Sequence, residues 1–245
     1  MREIKVRIET PLGYAPVLIL RPRGHCGTAL VYHGLGAGKE VQHKEMVWLA
    51  EAGFTAVCVD APHHGERADG YLEMLTSAET ANQHFLVMKL VSEAIQEIPA
   101  VVEYCVQQFP GNVCIVGISL GGFIAYGAPV VEPRIKASVP ILGSPDWNPK
   151  VGHATAELQA LMEHAPARFP EKFPPCAVFA ANARRDIYVP PRASREFIQT
   201  LQNEYQACPE RLQYLEYPDS EHMMREEDWN DLWQRVLFWF YRFLV

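Results

Sequence analysis

Gly117-Ile118-Ser119-Leu120-Gly121 is a G-x-S-x-G placed where an apolar, strand-like run gives way to a helix-like one. In that setting the serine stands in a strained turn with its hydroxyl exposed at a strand end, and the side-chain-free glycines let strand and helix approach closely. With 16 glycines and seven serines in 245 residues, chance supplies roughly 0.03 such matches. Ser119 therefore reads as a nucleophile in an elbow rather than as part of an ordinary glycine-rich turn. Gly122 adds a further close-packing position inside the helix.

A serine hydroxyl is a poor nucleophile until a base takes its proton, and that base needs a third group to hold its tautomer. On an elbow of this kind the acid and then the histidine follow the serine in chain order. Among nine histidines, His222 has the right place: it follows the last predicted strand, in the loop Tyr217-Pro218-Asp219-Ser220-Glu221-His222, before a terminal helix. The expected acid is Asp186, in Arg184-Arg185-Asp186-Ile187-Tyr188-Val189-Pro190 after the preceding strand. Asp219 is the rival, but three residues before His222 it is better suited to shaping the turn.

Acyl transfer also needs donors aimed at the developing oxyanion. The elbow supplies the backbone N–H of Leu120. A second donor, the N–H of Leu35, is expected from His33-Gly34-Leu35-Gly36-Ala37-Gly38 after the third strand, where the glycines allow the chain to turn an amide inward. A phosphate-cradling loop does not fit, because Lys39 is followed by Glu40 and the GxxxxGK[ST] spacing is missing. His33 reads as a loop pin rather than a base. In Asp60-Ala61-Pro62-His63-His64-Gly65-Glu66-Arg67, two adjacent histidines offer no metal-site spacing; Asp60 and His64 are expected to satisfy backbone groups beside the oxyanion loop. No metal is implied.

These groups must be brought to one edge of a scaffold, and the hydrophobic pattern supplies one. Period-two alternation over Ile4–Glu9 and an apolar run over Ala15–Leu20 predict an antiparallel entry ribbon. Strands over 28–33, 54–60, 112–118, 135–142, 176–182 and 212–217 then alternate with helices over 41–52, 78–109, 120–131, 193–205 and 228 to the end. Several strands are apolar on both faces, as buried parallel strands must be, so the fold class is α/β with a doubly wound, mostly parallel sheet of eight strands. Pro99 is expected to kink or split the long helix. The Pro- and His-rich stretch 145–174, with a short helical piece near 154–164, reads as a small cap inserted into a single domain.

Composition narrows the partners. Lys+Arg 22 against Asp+Glu 29 gives a net charge of -7, which repels phosphate backbones and anionic lipid heads, so neither nucleic acid nor membrane is expected. No apolar run has the length of a membrane span. The start Met1-Arg2-Glu3-Ile4-Lys5 is not followed by the apolar stretch of a secretory signal. Six scattered cysteines without a CxxC pair point to free thiols and a cytoplasmic location.

Elbow, acid, base and oxyanion loop in this order resemble the α/β-hydrolase superfamily over essentially the whole chain. The likeness is sharpest to the small bacterial YjfP/YitV-like serine esterases, relatives of dienelactone hydrolase and of the prolyl oligopeptidase catalytic domain. It is carried by HGLG at His33 to Gly36, by DAPHHGER at Asp60 to Arg67, which is similar to D-x-P-x-H-G-x-R, and by Asp186-Ile187-Tyr188-Val189-Pro190, which is similar to D-x-x-V-P. Two positions depart from the group's pattern: Ala183 stands where glycine usually precedes the acid, and the last loop reads DSEHMM. The resemblance implies a hydrolase of carboxyl esters working without metal or organic cofactor. Peptidase, amidase or thioesterase action on the same groups is the rival, and a hydrolase-fold binding protein with little turnover is another.

Trp147, Tyr188 and Met223, with Leu35, are candidates for an apolar substrate pocket, and a cap of about 30 residues suits small or medium esters. On the terminal helix Trp229, Leu232, Trp233, Val236, Leu237 and Phe240 form one stripe. Phe238, Trp239 and Tyr241 fall beyond it, and are expected to face the N-terminal strands or a second copy in a homodimer.

Overall fold

The computed structural model describes residues 1–109, 111–149 and 155–245; at positions 80 and 81 it describes the backbone alone. The sheet has eight strands: β1 (Arg2–Thr10), β2 (Gly13–Arg21), β3 (Gly27–Tyr32), β4 (Phe54–Val59), β5 (Val113–Ile118), β6 (Ile135–Ile141), β7 (Ala177–Ala183) and β8 (Leu212–Tyr217), in the order β1-β2-β4-β3-β5-β6-β7-β8. β1 pairs antiparallel with β2, and β2 antiparallel with β4; all other pairs are parallel. Every residue of β3, β4 and β5 is buried, the reason these segments are apolar without alternation.

Among the described residues seven α-helices accompany the sheet: α1 (His43–Glu51), α2 (Tyr71–Ser77), α3 (Thr80–Gln108), α4 (Leu120–Val131), α5 (Ala156–Met162), α6 (Arg192–Glu204) and α7 (Glu226–Leu244). α1 and α7 share one core with the sheet, built on residues such as Met46, Leu49, Leu232 and Phe240. α3 and α4 share a second, built on residues such as Ile98, Val102, Ile124 and Ala125, and α6 packs Phe197 and Leu201 into a smaller third. Chain order reverses at β3, which has β4 on one side and β5 on the other. In open α/β sheets the carboxyl ends of the strands at such a reversal frame a ligand crevice, and the two loops that leave β3 and β5 here are the glycine-rich run and the elbow.

Two expectations about helices change. The 29-residue α3 runs unbroken through Pro99. A proline inside a helix costs about 3 kcal/mol, but Ile98, Val101 and Val102 beside it are completely buried, and each such burial contributes roughly 1.5–3 kcal/mol. Ile95 packs where α4 has Gly127, at which any side chain would collide with it. Helix α3 begins at Thr80, two residues after its expected start, and the separate α2 precedes it in a stretch for which the sequence predicts no element. On α7, Trp239 is buried and its Nε1–H donates to the Ala177 carbonyl at 3.2 Å, while Tyr241 donates to the Ala52 carbonyl at 2.8 Å. Of the three residues beyond the stripe, Phe238 is the most exposed.

Part of the expected cap, residues 150–154, lies outside the described residues. The remainder of 145–174 forms α5, whose N-terminus is capped by the Thr155 hydroxyl accepting from Leu158 N–H, and two single 3-10 turns. Among the described residues no helix is long and apolar enough to cross a membrane.

Candidate active site

Ser119 joins β5 to α4 with φ 55 and ψ -111, a left-handed backbone rarely adopted by a residue with a side chain. Its neighbours make that geometry possible. A Cβ at Gly117 would collide with Gly121, one at Gly121 with the Tyr32 carbonyl, and one at Gly122 with the Ile141 carbonyl. The elbow is tied to both adjacent strands: Ser119 N–H donates to the Ile141 carbonyl at 2.9 Å and Gly121 N–H to the His33 carbonyl at 3.1 Å.

The Ser119 Oγ lies 3.0 Å from His222 Nε2, and His222 Nδ1 lies 2.7 Å from Asp186 Oδ2. An ionised Asp186 can only accept, so Nδ1 carries the proton and Nε2 is left to accept from the serine. The Asp186 side chain is fully buried, and its Oδ1 accepts from the N–H groups of Tyr188 and Val189, both at 2.8 Å. The carboxylate is thus anchored on one oxygen and presented to His222 with the other. Backbone bonds from Arg184 to Tyr217 and from Arg185 to Ser220 stitch the Asp186 loop to the His222 loop. The buried Ser220 hydroxyl donates to Asp228 and accepts from Arg225 N–H. Asp219, the rival acid, is exposed and receives Arg185 at 2.8 Å.

On the other side of Ser119, a Cβ at Gly34 would sit 3.7 Å from the Ser119 Cβ, so the glycine-rich loop passes directly over the elbow. Its amides are largely taken: Gly36 N–H donates to His64 Nε2 at 3.0 Å, Ala37 N–H to the Gly34 carbonyl and Lys39 N–H to Asp60. The amides of Leu35 and Leu120 have no acceptor among the described residues.

Beneath this loop lies a buried polar cluster. The Lys39 ammonium, 1 % exposed, is 2.8 Å from both Asp60 and Glu66. Burial alone would push its pKa down; the two carboxylates outweigh that and hold it above the ordinary lysine value. Sequence reasoning used Lys39 only to reject a phosphate loop, since a lysine beside glycines is usually solvated; the acidic residues of Asp60 to Glu66 were the available clue. His33 donates to the Gly34 carbonyl through Nδ1 and accepts from Ala61 N–H through Nε2. Burial pushes its pKa down to about 4. His63 sits between Asp69 and Glu93 and stacks on Tyr71.

The pocket candidates separate. Tyr188 meets the His222 ring edge-on at 5.6 Å and is 68 % exposed, and Met223 is 87 % exposed. Trp147 is a correction: at 1 % exposed it is part of the core, and its carbonyl accepts from His84 at 2.9 Å. The indole packs into the core shared by α3 and α4, where its large apolar area is removed from water.

The sequence matches the model of the Alpha/beta hydrolase family over residues 29–244. It is 29% identical over 211 residues to "Putative esterase YitV" of Bacillus subtilis (strain 168), covering 78% of this chain and 80% of that protein. To "Esterase YjfP" of Escherichia coli (strain K12) it is 26% identical over 133 residues, 53% of this chain and 51% of that one. Among solved structures, TT1662 from Thermus thermophilus superposes with a TM-score of 0.80 at 22% identity, over 98% of both chains. The family match covers most of the chain, and the eight-stranded sheet agrees with it: the chain belongs to the alpha/beta hydrolase family.

Proposed function

We propose that this hydrolase is a serine esterase acting on carboxyl esters of small to medium size through an acyl-enzyme. The observation that carries the reading is the continuous hydrogen-bond relay from Ser119 Oγ through His222 to the buried Asp186, with the serine on a strained elbow. Ser119 Oγ attacks the ester carbonyl carbon while His222 Nε2 takes its proton. Asp186 fixes the imidazole tautomer and stabilises the imidazolium without itself taking the proton. The tetrahedral oxyanion is held by the free amides of Leu35 and Leu120. Collapse breaks the bond to the alcohol, which leaves with the proton from His222. Water then attacks the acyl-Ser119 carbonyl, giving a proton to Nε2; the carboxylic acid departs and the proton returns to Ser119 Oγ.

The esterase names of the two curated relatives favour an ester over an amide. Tyr188 and Met223, exposed beside His222, are proposed to meet the apolar part of the substrate. The test is hydrolysis of p-nitrophenyl butyrate with labelling by a fluorophosphonate. Wild type turns the ester over and is labelled on Ser119; Ser119→Ala loses both, with kcat down by at least about 10⁴-fold. Hydrolysis that survives in Ser119→Ala sinks the mechanism.

A further inference from the structure

The direction of the Leu35 N–H is set by the two peptide units on either side of that residue. In the first, the Gly34 carbonyl and the Leu35 N–H belong to one planar trans unit and point in opposite directions. The Gly34 carbonyl accepts from His33 Nδ1 at 2.8 Å and from Ala37 N–H at 3.2 Å, so this plane is fixed through its oxygen. In the second, the Gly36 N–H is fixed by donating to His64 Nε2 at 3.0 Å. Both histidines are held from behind. His33 Nε2 accepts from Ala61 N–H at 3.2 Å, and His64 Nδ1 donates to the Pro62 carbonyl at 2.8 Å. Both are completely buried, and their rings lie 5.0 Å apart.

We propose that His64, acting with His33, is a positioning residue that presets the Leu35 N–H as an oxyanion donor by clamping the peptide units on either side of it. The inference rests on the esterase reading above and goes beyond it by assigning a kinetic role to a side chain that touches neither substrate nor Ser119. Each ring works only as the neutral Nδ1–H tautomer, because each must donate through Nδ1 and accept through Nε2. Glycine at position 36, with φ 77, supplies the backbone bend that turns its amide toward His64. A loop released from His64 keeps only the anchor on the Gly34 oxygen, so the 34–35 unit is free to pivot about that oxygen, turning the Leu35 N–H away and leaving the tetrahedral intermediate with one donor in place of two. The loss then falls on the transition state and spares ground-state binding.

The experiment compares His64→Leu, which keeps bulk and removes the acceptor, with His64→Gln, whose amide oxygen reaches toward the position of Nε2. His64→Leu is expected to lower kcat on the order of 10²-fold with KM nearly unchanged. Its affinity for an alkyl boronic acid, a mimic of the tetrahedral state, should fall in step, while affinity for an unreactive ketone-free ether analogue of the ester stays put. His64→Gln should recover most of the lost kcat. Independently of any variant, a long-range ¹H–¹⁵N spectrum of the wild type at pH 7 should report His64 as the neutral Nδ1–H tautomer. An unaltered kcat in His64→Leu, equal losses in both variants, a loss confined to KM, or an Nε2–H ring would each overturn the inference. Hydrolysis persisting in Ser119→Ala overturns the esterase reading instead, so the two failures are distinguishable.

Discussion

The loop after β3 and the loops after β7 and β8 reach Ser119 from opposite sides of the sheet reversal, and their surroundings differ. On the β3 side, His33, Lys39, Asp60 and His64 are all buried, and the amides of Gly36, Ala37 and Lys39 have fixed acceptors. On the β7–β8 side only Asp186 and Ser220 are anchored in this way, while Ile187, Tyr188 and Met223 are exposed. The first side consists of many polar groups that are costly to bury unless each is satisfied, and so it tolerates little displacement. The second exposes apolar side chains to solvent. Electrostatic catalysis needs donors fixed in advance, whereas accommodation of a substrate needs surface free to be covered.

Within the less buried side Asp186, like Ser220, is an exception, and replacing it should give the largest effect after loss of Ser119 itself. Asp186→Asn keeps the shape and removes the charge. An amide opposite Nδ1 favours the wrong histidine tautomer, and kcat is expected to fall by about 10⁴-fold. Asp219→Asn, at an exposed carboxylate paired with Arg185, should leave kcat within about threefold of wild type, since surface ion pairs contribute little. Steady-state kinetics of the two variants check this. The reverse order would move the acid to Asp219 and erase the distinction between the buried and exposed carboxylates.

The polar cluster on the β3 side makes an intermediate prediction, about stability and pH. His33 is fully buried, and its pKa of about 4 reflects burial first, then the nearby His64 and Lys39, against the opposing pull of the Gly34 carbonyl and Asp60. In the unfolded chain the same ring titrates near 6.5. Between those values the unfolded state holds more protons, so stability rises with pH; it is complete above about 6.5 and is lost on acidification toward 4. At pH 5 the loss from His33 is about 2 kcal/mol. His64, lowered by burial and by His63 against the Pro62 carbonyl and Asp60, adds in the same direction. Urea midpoints at pH 7 and pH 5 test it: a curve flat across that interval would mean that these rings are not held neutral.

How much of this the sequence revealed follows the same division. Ser119, Asp186 and His222 could be found because each occupies a position defined by strand ends, and strands such as β3, β4 and β5 declare themselves through uninterrupted apolar runs. The loop proposed to hold the oxyanion is legible in its glycines. The groups that hold it were harder to read: Lys39 resembles any surface lysine until the fold places Asp60 and Glu66 against it. Local rules failed where tertiary packing outweighed them, as at Pro99 in α3, and where a short element such as α2 carries too few turns to establish a period. Trp147 was misplaced because its neighbours along the chain say that it lies near the sheet edge, not which way the indole turns.

The smallest effects belong to the exposed side chains. Met223 and Tyr188 cover little of the core, so Met223→Ala and Tyr188→Ala should each change unfolding free energy by no more than about 0.5 kcal/mol. Their contribution is expected in binding. Removing an exposed apolar wall should raise KM for a longer-chain ester by roughly 10-fold, with kcat nearly constant, because a half-solvated contact lies at the lower end of the about 1–3 kcal/mol of a methylene-sized one and acts equally in ground and transition states. A series of p-nitrophenyl esters of increasing acyl length measures this directly: the ratio of mutant to wild-type KM should grow with chain length if these side chains meet the acyl group, and stay level if they meet the alcohol. A drop in kcat at constant KM for Tyr188→Ala would mean instead that its edge-on contact with His222 orients the base. The exposed side would then hold a positioning element of its own, and the contrast between a fixed donor loop and a permissive rim would narrow to Met223 alone.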